Sequence, residues 1–338
     1  MAFLRVLPAF LPLVLACLAA PLTARAAARP AYVGAIVVDA DSGQVLFEDN
    51  ADVTNAPASM TKLMTFAVLH DKLADGTLKL DTPITVNRDE AKFAMKSDST
   101  AVWLKEKETF PVEELLYAMM VQSANDASLV LARAAAGSAE AFVGLMNAKA
   151  KALGMMHTSF RTPHGLTTGR VDAANSDLTT ARDYALLSRY LVQVTDVLKY
   201  TSVKTRPFGA GQRTQLVDMR NHNNLLGKID GLDGLKTGYT RNAGFCLAAT
   251  AARHGRRIVT VVMGSPDSKT RDLKVIELLD RGFATPARPM PIVSTGAPSS
   301  PAKPAETPAV KTAPAAPKAE PAREPAVIFR VTPPQKKP

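Results

Sequence analysis

The chain has 338 residues, 46% of them hydrophobic, and a formal net charge of +10. This length is enough to bury a large core, and it allows one large domain or two ordinary ones. The positive charge alone is compatible with nucleic-acid binding. No motif that reads nucleic acid accompanies it, however, so that class of partner is not expected.

The first 28 residues are typical of a secretory signal peptide. Arg5 precedes an apolar run from Val6 to Ala20, and the small residues at 26–28 fit an A-x-A cleavage site. We therefore expect an exported protein, periplasmic or associated with the cell envelope. The alternative is an uncleaved membrane anchor, for which about 20 apolar residues are normally needed. Cleavage would remove Cys17 and leave Cys246 alone, predicted to be a buried and unreactive thiol.

The folded domain is predicted to span residues 29–285, and its first half carries strand signals followed by helix signals. Apolar runs at 32–39 and 44–48 are separated by Asp41-Ser42-Gly43 and predict a β-hairpin. A helix is predicted after Pro57, because apolar residues recur at the spacing of one helical face until Gly76. Further helices are predicted at 111–136, 139–153 and 177–194. Residues 92–108, which include the single Trp103, are polar and irregular and predict a flap or loop near the segment at 123–125.

The second half of the domain returns to strands. Two are predicted at 244–250 and 257–264, joined by His254-Gly255, before a last helix at 268–281. Strands at both ends with helices between them predict an α+β fold: one antiparallel sheet built from the two chain ends, flanked by helices, with an all-helical region against it. A cleft is expected where the sheet meets that helical region.

Residues 286–338 are mostly Pro, Ala, Lys, Glu, Ser and Thr and predict a disordered tail. The tail holds eight Lys or Arg and three Glu, a net charge of +5. Such a basic segment can attract an anionic wall or membrane surface weakly, or it can serve only as a solubilising linker.

Three short segments have the residue types of a serine acyl-transfer site: Ser59-Met60-Thr61-Lys62, Ser123-Ala124-Asn125 and Lys236-Thr237-Gly238. Serine is a poor nucleophile at neutral pH and needs a base within hydrogen-bond reach. Lys62 lies three residues on, so a helix places it on the same face. It is a base only when neutral, a state that burial and a neighbouring cation such as Lys236 both favour. Alone, each segment has an ordinary structural explanation, as a helix cap, loop residues or a strand start.

The three segments together, in this order and 64 and 113 residues apart, form the signature of class A β-lactamases and penicillin-binding proteins. The chain resembles the low-molecular-mass penicillin-binding proteins that are serine-type D-alanyl-D-alanine carboxypeptidases, over about residues 31–283. The matching stretches are Pro57 to Thr65, Ser123 to Ala127, Thr162 to Leu166 and Asp233 to Thr240.

The resemblance implies the serine β-lactamase and transpeptidase fold, with Ser59 forming the acyl-enzyme and Lys62 as its general base. It implies that Ser123 and Asn125 assist proton transfer and positioning. Lys236 and Thr237, with Gly238 beside them, would meet the substrate's terminal carboxylate, and the backbone N–H groups of Ser59 and Tyr239 would form the oxyanion hole. The implied substrates are peptidoglycan stem peptides, with β-lactams as covalent inhibitors and no cofactor or metal.

Two features depart from the family pattern. Some members carry an arginine in an Asn-Arg-Asn-x-Leu-Leu segment, whereas His222 stands at that position here, so a contact to the substrate carboxylate is in question. The segment after the domain also does not match the second β-rich domain and amphipathic helix of many members, so stable membrane anchoring is not expected.

Three other functions compete with the carboxypeptidase. A class A β-lactamase deacylates through a glutamate between the second and third motifs, but no Glu occurs between Glu140 and Glu277. A D-alanyl endopeptidase that opens peptidoglycan cross-links would use the same machinery. A non-catalytic wall-binding module is disfavoured because all the expected side chains are present.

Overall fold

The computed structural model of the protein describes residues 31–95 and 100–286. The predicted signal peptide at 1–28, and the predicted tail at 286–338 apart from its first residue, lie outside the described residues. The domain bounds 29–285 and the expectations about the two ends therefore stay predictions.

The described residues contain short strands and helices in a mixed order. The strands are β1 (Gly34–Asp39), β2 (Val45–Asp49), β3 (Pro83–Thr85), β4 (Thr109–Pro111), β5 (Thr205–Phe208), β6 (Val217–Arg220), β7 (Leu232–Thr240), β8 (Gly244–Arg253) and β9 (Arg256–Ser265). The helices are a 3-10 helix (Ala58–Thr61), α1 (Lys62–Ala74), α2 (Arg88–Ala94), α3 (Val112–Val121), α4 (Asn125–Ala136), α5 (Ala139–Ala152), α6 (Ala181–Val194), α7 (Leu198–Thr201) and α8 (Ser268–Ala284).

One five-stranded antiparallel sheet joins the two ends of the domain. Its strand order is β2-β1-β9-β8-β7, so the first hairpin lies directly against the last one. The sequence prediction of a sheet assembled from both chain ends is confirmed. The predicted turn at His254-Gly255 is confirmed too, and both residues have a positive φ.

The two faces of the sheet belong to different parts of the core. Side chains alternate between faces along a strand, and in β1 Ile36 and Val38 pack with the helical region while Ala35 and Val37 pack with α8. Helix α6 lies on the first of these faces, and it contacts both β1 and β9. The edge strand β7 instead contacts the 3-10 helix and α7, which places one end of the sheet beside the helical region.

The prediction of a single helix at 111–136 is wrong. Helix α3 ends at Val121 and α4 begins at Asn125, because Ser123 between them has φ +64, a left-handed conformation that interrupts a right-handed helix. Apolar periodicity runs through both helices and gave no sign of the break. The break falls on the second motif.

The helix predicted from residue 177 begins instead at Ala181, where the Thr180 side chain caps it by accepting from the Asp183 N–H. The Asp177 carboxylate is occupied elsewhere, because it accepts from the backbone N–H groups of Arg161 and Thr162. The sequence analysis also missed α2 and the two small sheets β3-β4 and β5-β6.

Among the described residues no single helix is long and apolar enough to span a membrane. The pair α4 and α5 meets the length and composition only when taken together, and the two helices are bent by 83° at their junction.

The packing of α8 against the sheet predicts a stability difference between two leucines of the same helix. Leu278 is completely buried, whereas Leu273 is 58% exposed. We expect Leu278→Ala to lower the free energy of unfolding by about 2–5 kcal/mol, because it leaves a cavity. Leu273→Ala should change it by no more than about 0.5 kcal/mol. Urea denaturation of the two variants measures both, and equal losses would contradict this packing.

Candidate active site

Ser59 lies in the 3-10 helix that leads directly into α1. The predicted position of Ser59 at a helix start is confirmed, although the first turn is 3-10 rather than α. The N-cap position is Pro57, so Ser59 lies inside the first turn and is not its cap. The preceding Ala58 has φ +49, which bends the chain into the helix at this point.

Lys62 is completely buried, and its amine has three oxygen partners. Nζ lies 3.1 Å from Ser59 Oγ, 2.6 Å from Asn125 Oδ1 and 2.9 Å from the His164 carbonyl oxygen. The amide and carbonyl oxygens can only accept, so they take two N–H bonds of the amine. The Ser59 hydroxyl is the one partner of the three that can also donate. A charged amine can donate to all three oxygens. A neutral amine, which the lowered pKa of Lys62 favours, can donate to the two acceptors and accept from the Ser59 hydroxyl.

The break between α3 and α4 brings the second motif to the same place. Ser123 and Asn125 are both buried. The Asn125 N–H donates to the carbonyl oxygen of Thr100 at 2.8 Å. The carboxylate of Asp126 accepts from the backbone N–H groups of Val102 and Leu104. The loop at 100–104 is thus fastened to the start of α4. The prediction of a loop near the second motif is confirmed for this part of residues 92–108, whereas residues 92–94 belong to α2.

The third motif lies on β7, against the 3-10 helix. Gly238 packs on the backbone so closely that a Cβ there would collide with the Pro57 carbonyl oxygen, so only glycine allows this approach. Lys236 is buried, and its Nζ donates to the Thr237 carbonyl oxygen at 3.2 Å. Tyr239 is 56% exposed and stacks on Phe245, with ring centroids 4.1 Å apart.

The turn at 162–165, part of the matching stretch Thr162 to Leu166, lies directly against Lys62 and the 3-10 helix. Besides the His164 carbonyl that Lys62 reaches, Gly165 packs on the Ala58 carbonyl with φ +92. Buried Asp177 holds the turn to the 3-10 helix, because it accepts from the Thr61 hydroxyl at 2.7 Å and from the Arg161 and Thr162 N–H groups. No local sequence signal marks a main-chain carbonyl or this carboxylate.

A cavity of about 300 Å³ opens at this junction. Five of the eight predicted site residues line it, and the other three, Lys62, Asn125 and Lys236, are buried beside them. The predicted residues in the lining are Ser59, Ser123, Thr237, Gly238 and Tyr239. The sequence analysis missed Arg271, which reaches the cavity from α8, and left the role of His222 open; both residues line the cavity.

Several basic side chains lie in or beside the cavity, and burial and mutual repulsion lower the pKa values of three of them. Burial and then the charge of Lys236 lower the pKa of Lys62 well below its ordinary value. Burial and the charge of Arg271 lower the pKa of Lys236 to about 7. Desolvation, with the charges of Lys236, Lys62 and Arg271, lowers the pKa of His222 to about 4. His222 is therefore neutral at pH 7, and it cannot supply the positive charge of an arginine.

Cys246 is buried and free, as predicted, and burial raises the pKa of its thiol to about 11. Across residues 31–95 and 100–286, no group of three or more His, Cys, Asp or Glu side chains is arranged to hold a metal ion.

The comparison with known families decides the assignment. The model of the D-alanyl-D-alanine carboxypeptidase family, Peptidase S11, matches residues 23–267. The chain belongs to this family. All three motifs and the cavity lining up to Phe245 fall inside the match, and Arg271 lies just beyond it.

Two curated relatives show the extent of the similarity. D-alanyl-D-alanine carboxypeptidase DacA of Escherichia coli (strain K12) is 37% identical over 252 residues, 73% of this chain and 60% of the relative. D-alanyl-D-alanine carboxypeptidase DacF of Bacillus subtilis (strain 168) is 32% identical over 250 residues, 74% of this chain and 61% of the relative. The chain thus spans less than two thirds of the length of these carboxypeptidases.

Solved structures of family members share the fold. Penicillin-Binding Protein D2 from Listeria monocytogenes, in a cefotaxime-bound form, aligns with a TM-score of 0.66 at 31% identity, over 75% of this chain and 97% of that one. D-alanyl-D-alanine carboxypeptidase DacD from Francisella tularensis aligns with a TM-score of 0.69 at 30% identity, over 75% of this chain and 70% of that one. The predicted transpeptidase-like fold is confirmed.

The buried lysines predict that stability rises with pH. The pKa of Lys236 is about 7 in the folded protein and near 10.5 ordinarily, so above pH 7 the unfolded chain binds more protons. The free energy of unfolding should therefore increase between pH 7 and 9, by up to about 2 kcal/mol for one such lysine. Lys236→Met should make this increase smaller, measured by urea denaturation at both pH values. Lys228→Met, at an exposed position, is the control and should retain the wild-type increase.

The close approach of Gly165 to Ala58 predicts that replacing this glycine is unusually destabilising. Gly165→Ala should lower the free energy of unfolding by more than about 2 kcal/mol, because its methyl group must displace the Ala58 backbone next to Ser59. Gly76 has a similar positive φ of +77 with nothing within 4 Å, so Gly76→Ala adds only the conformational strain of about 1–2 kcal/mol. Denaturation of both variants compares them, and equal losses would show that the contact with Ala58 is unimportant.

Proposed function

We propose that the protein is a serine D-alanyl-D-alanine carboxypeptidase, which removes the terminal D-alanine from peptidoglycan pentapeptide stems through an acyl-enzyme on Ser59. The observation that carries the proposal is the 3.1 Å contact between Ser59 Oγ and the buried amine of Lys62. The other two partners of that amine are obligatory acceptors, so the serine hydroxyl is the group that can give it a proton. Family membership supports the same reaction.

In the proposed reaction, Lys62 accepts the Ser59 proton as Oγ attacks the carbonyl carbon of the D-alanyl-D-alanine peptide bond. The carbonyl oxygen becomes an oxyanion, for which the backbone N–H groups of Ser59 and Tyr239 are the proposed donors. The C–N bond then breaks, and the leaving D-alanine amine takes a proton from Lys62 by way of the Ser123 hydroxyl. Water hydrolyses the ester that remains on Ser59, and this step restores the enzyme.

The cations of the cavity suit a substrate that ends in a carboxylate. Lys236, with the Thr237 hydroxyl beside it, is proposed to meet that carboxylate, as the resemblance implies. Arg271 lines the same cavity and is buried, and its guanidinium already contacts Asp272 at 2.7 Å. We propose that Arg271 adds the positive charge that neutral His222 does not provide.

The same site is proposed to react with β-lactams and to release them slowly. The Listeria relative is a penicillin-binding protein whose structures contain cefotaxime and ampicillin. Fast deacylation would need a carboxylate to activate water near the ester, and the described residues that line the Ser59 cavity include no Asp or Glu. β-Lactams are therefore expected to be inhibitors rather than good substrates of this protein. The peptidoglycan substrate also agrees with the predicted export of the chain.

The endopeptidase that opens cross-links remains the nearest alternative, because its chemistry at Ser59 would be the same. The two differ in what leaves: a free D-alanine in one case, and a D-alanine still attached to a neighbouring stem in the other. The wall-binding module is disfavoured by the contact between Lys62 and Ser59, which a protein without catalysis has no need to retain.

The decisive experiment is intact-mass spectrometry with benzylpenicillin, together with mass analysis of peptidoglycan fragments after incubation. We expect a covalent adduct on Ser59 and loss of one D-alanine from pentapeptides. Lys62→Ala should abolish both while circular dichroism shows an intact fold, because the serine loses its base. Lys72→Ala, in the same helix but partly exposed, is the matched control and should keep full activity.

Each other outcome has a defined meaning. Conversion of cross-linked dimers to monomers without trimming of pentapeptides would replace the carboxypeptidase with the endopeptidase. The absence of both adduct and product would leave only the binding module. Full activity of Lys62→Ala would remove Lys62 from the mechanism.

A further inference from the structure

A second cavity, of about 430 Å³, lies beside the only tryptophan of the chain. Trp103 is 50% exposed, although its large aromatic surface would ordinarily be buried in a core. Facing it across the cavity is the loop between β5 and β6, which contributes Gln212, Thr214, Gln215 and Leu216. Leu216 is itself 48% exposed, so two large apolar side chains share this open surface.

The backbone holds Trp103 in this exposed position. Its φ is +51, which is rare for a bulky residue and persists only where the surroundings enforce it. The Arg213 guanidinium donates to the carbonyl oxygens of Val102 and Trp103 at 2.8 and 2.9 Å. The N–H groups of Val102 and Leu104 in the same segment donate to the carboxylate of Asp126. The indole is therefore presented by a fixed segment rather than by a loose loop.

Most of the side chains that line this cavity suit a sugar ligand. The indole offers a flat apolar surface on which the C–H face of a pyranose ring can lie. Gln212, Thr214 and Gln215 are neutral and can both donate and accept hydrogen bonds, as hydroxyl and acetamido groups require. The guanidinium of Arg213 is already paired with the carboxylate of Glu108, so these two charges offset each other. Lys105 also lines the cavity and is exposed, so one ammonium group lies beside the neutral side chains.

The two cavities are connected by a short stretch of chain. Thr100 lines the Ser59 cavity, and Trp103 follows three residues later, so their Cα atoms are at most about 11 Å apart. The four residues that separate the sugar from the terminal D-alanine of a pentapeptide stem span at most about 14 Å. One substrate molecule can therefore reach both cavities.

We propose that Trp103 and the loop between β5 and β6 form a subsite for an N-acetylated sugar of the glycan strand that carries the stem peptide. The identity of this ligand rests on the proposed function, since it is the glycan part of the same substrate. The subsite would make the protein prefer stems that are still attached to sugar over free peptides.

The kinetic test compares two substrates with the same pentapeptide, one attached to an N-acetylated disaccharide and one free. Trp103→Ala should lower kcat/KM for the sugar-bearing substrate by about 3- to 10-fold and leave the free peptide unchanged. Trp103→Phe, which keeps an aromatic face, should recover part of the loss. Met156→Ala removes an exposed apolar side chain outside both cavities and should affect neither substrate. Equal losses for both substrates, or no loss for either, would overturn the subsite.

A second measurement is independent of turnover. Because Trp103 is the single tryptophan, the intrinsic tryptophan fluorescence of the wild-type protein reports on this cavity alone. Titration with a glycan strand from which the stem peptides have been removed should give a saturable change in emission, weakened by Gln212→Ala, whereas dextran should give none. If neither peptide is hydrolysed, the proposed function fails, and this titration still decides the subsite. An unchanged emission would overturn it and leave Trp103 as a contact for a protein partner.

Discussion

The burial of Lys62 is the constraint on which the rest of the site depends. A buried amine needs hydrogen-bond partners for its polar hydrogens, and leaving them unmade is costly. The partners here come from three segments far apart in the chain: the 3-10 helix, the start of α4 and the turn at 162–165. The amine can be buried only after those segments have packed around it. The chemistry of the site is thereby tied to completion of the fold.

The positive charge at the cavity has two effects, and a bound anion would weaken the second of them. Lys236 and Arg271 make the cavity attractive to an anion, and the charge of Lys236 also keeps the pKa of Lys62 low. A carboxylate bound at Lys236 would offset that charge and raise the pKa of Lys62, which would favour the proton transfer from Ser59 in the proposed reaction. His222, with a pKa lowered to about 4, contributes no positive charge to the cavity at neutral pH. An arginine at position 222 would have added a second permanent positive charge beside that of Arg271.

Much of the fold could be predicted because its signals are local. The sheet follows from continuous apolar runs in β1, β8 and β9, and the first long helix follows from an apolar face that begins at Leu63. The break at Ser123 could not be predicted, because the residues on both sides continue the same helical pattern. The start of α6 was misplaced for a related reason, since Asp177 is taken up by Arg161 and Thr162 rather than by the helix.

By itself, the sequence determined which reactive side chains the protein has, in which order they occur and which family they indicate. Only the tertiary structure decided which atoms meet them. The His164 carbonyl, the carboxylate of Asp177 and the guanidinium of Arg271 have no signature at their own positions, because their roles come from contacts with distant segments. The charge state of Lys62 is also a tertiary property. Desolvation depends on every atom that surrounds the amine, and those atoms are brought together only by folding.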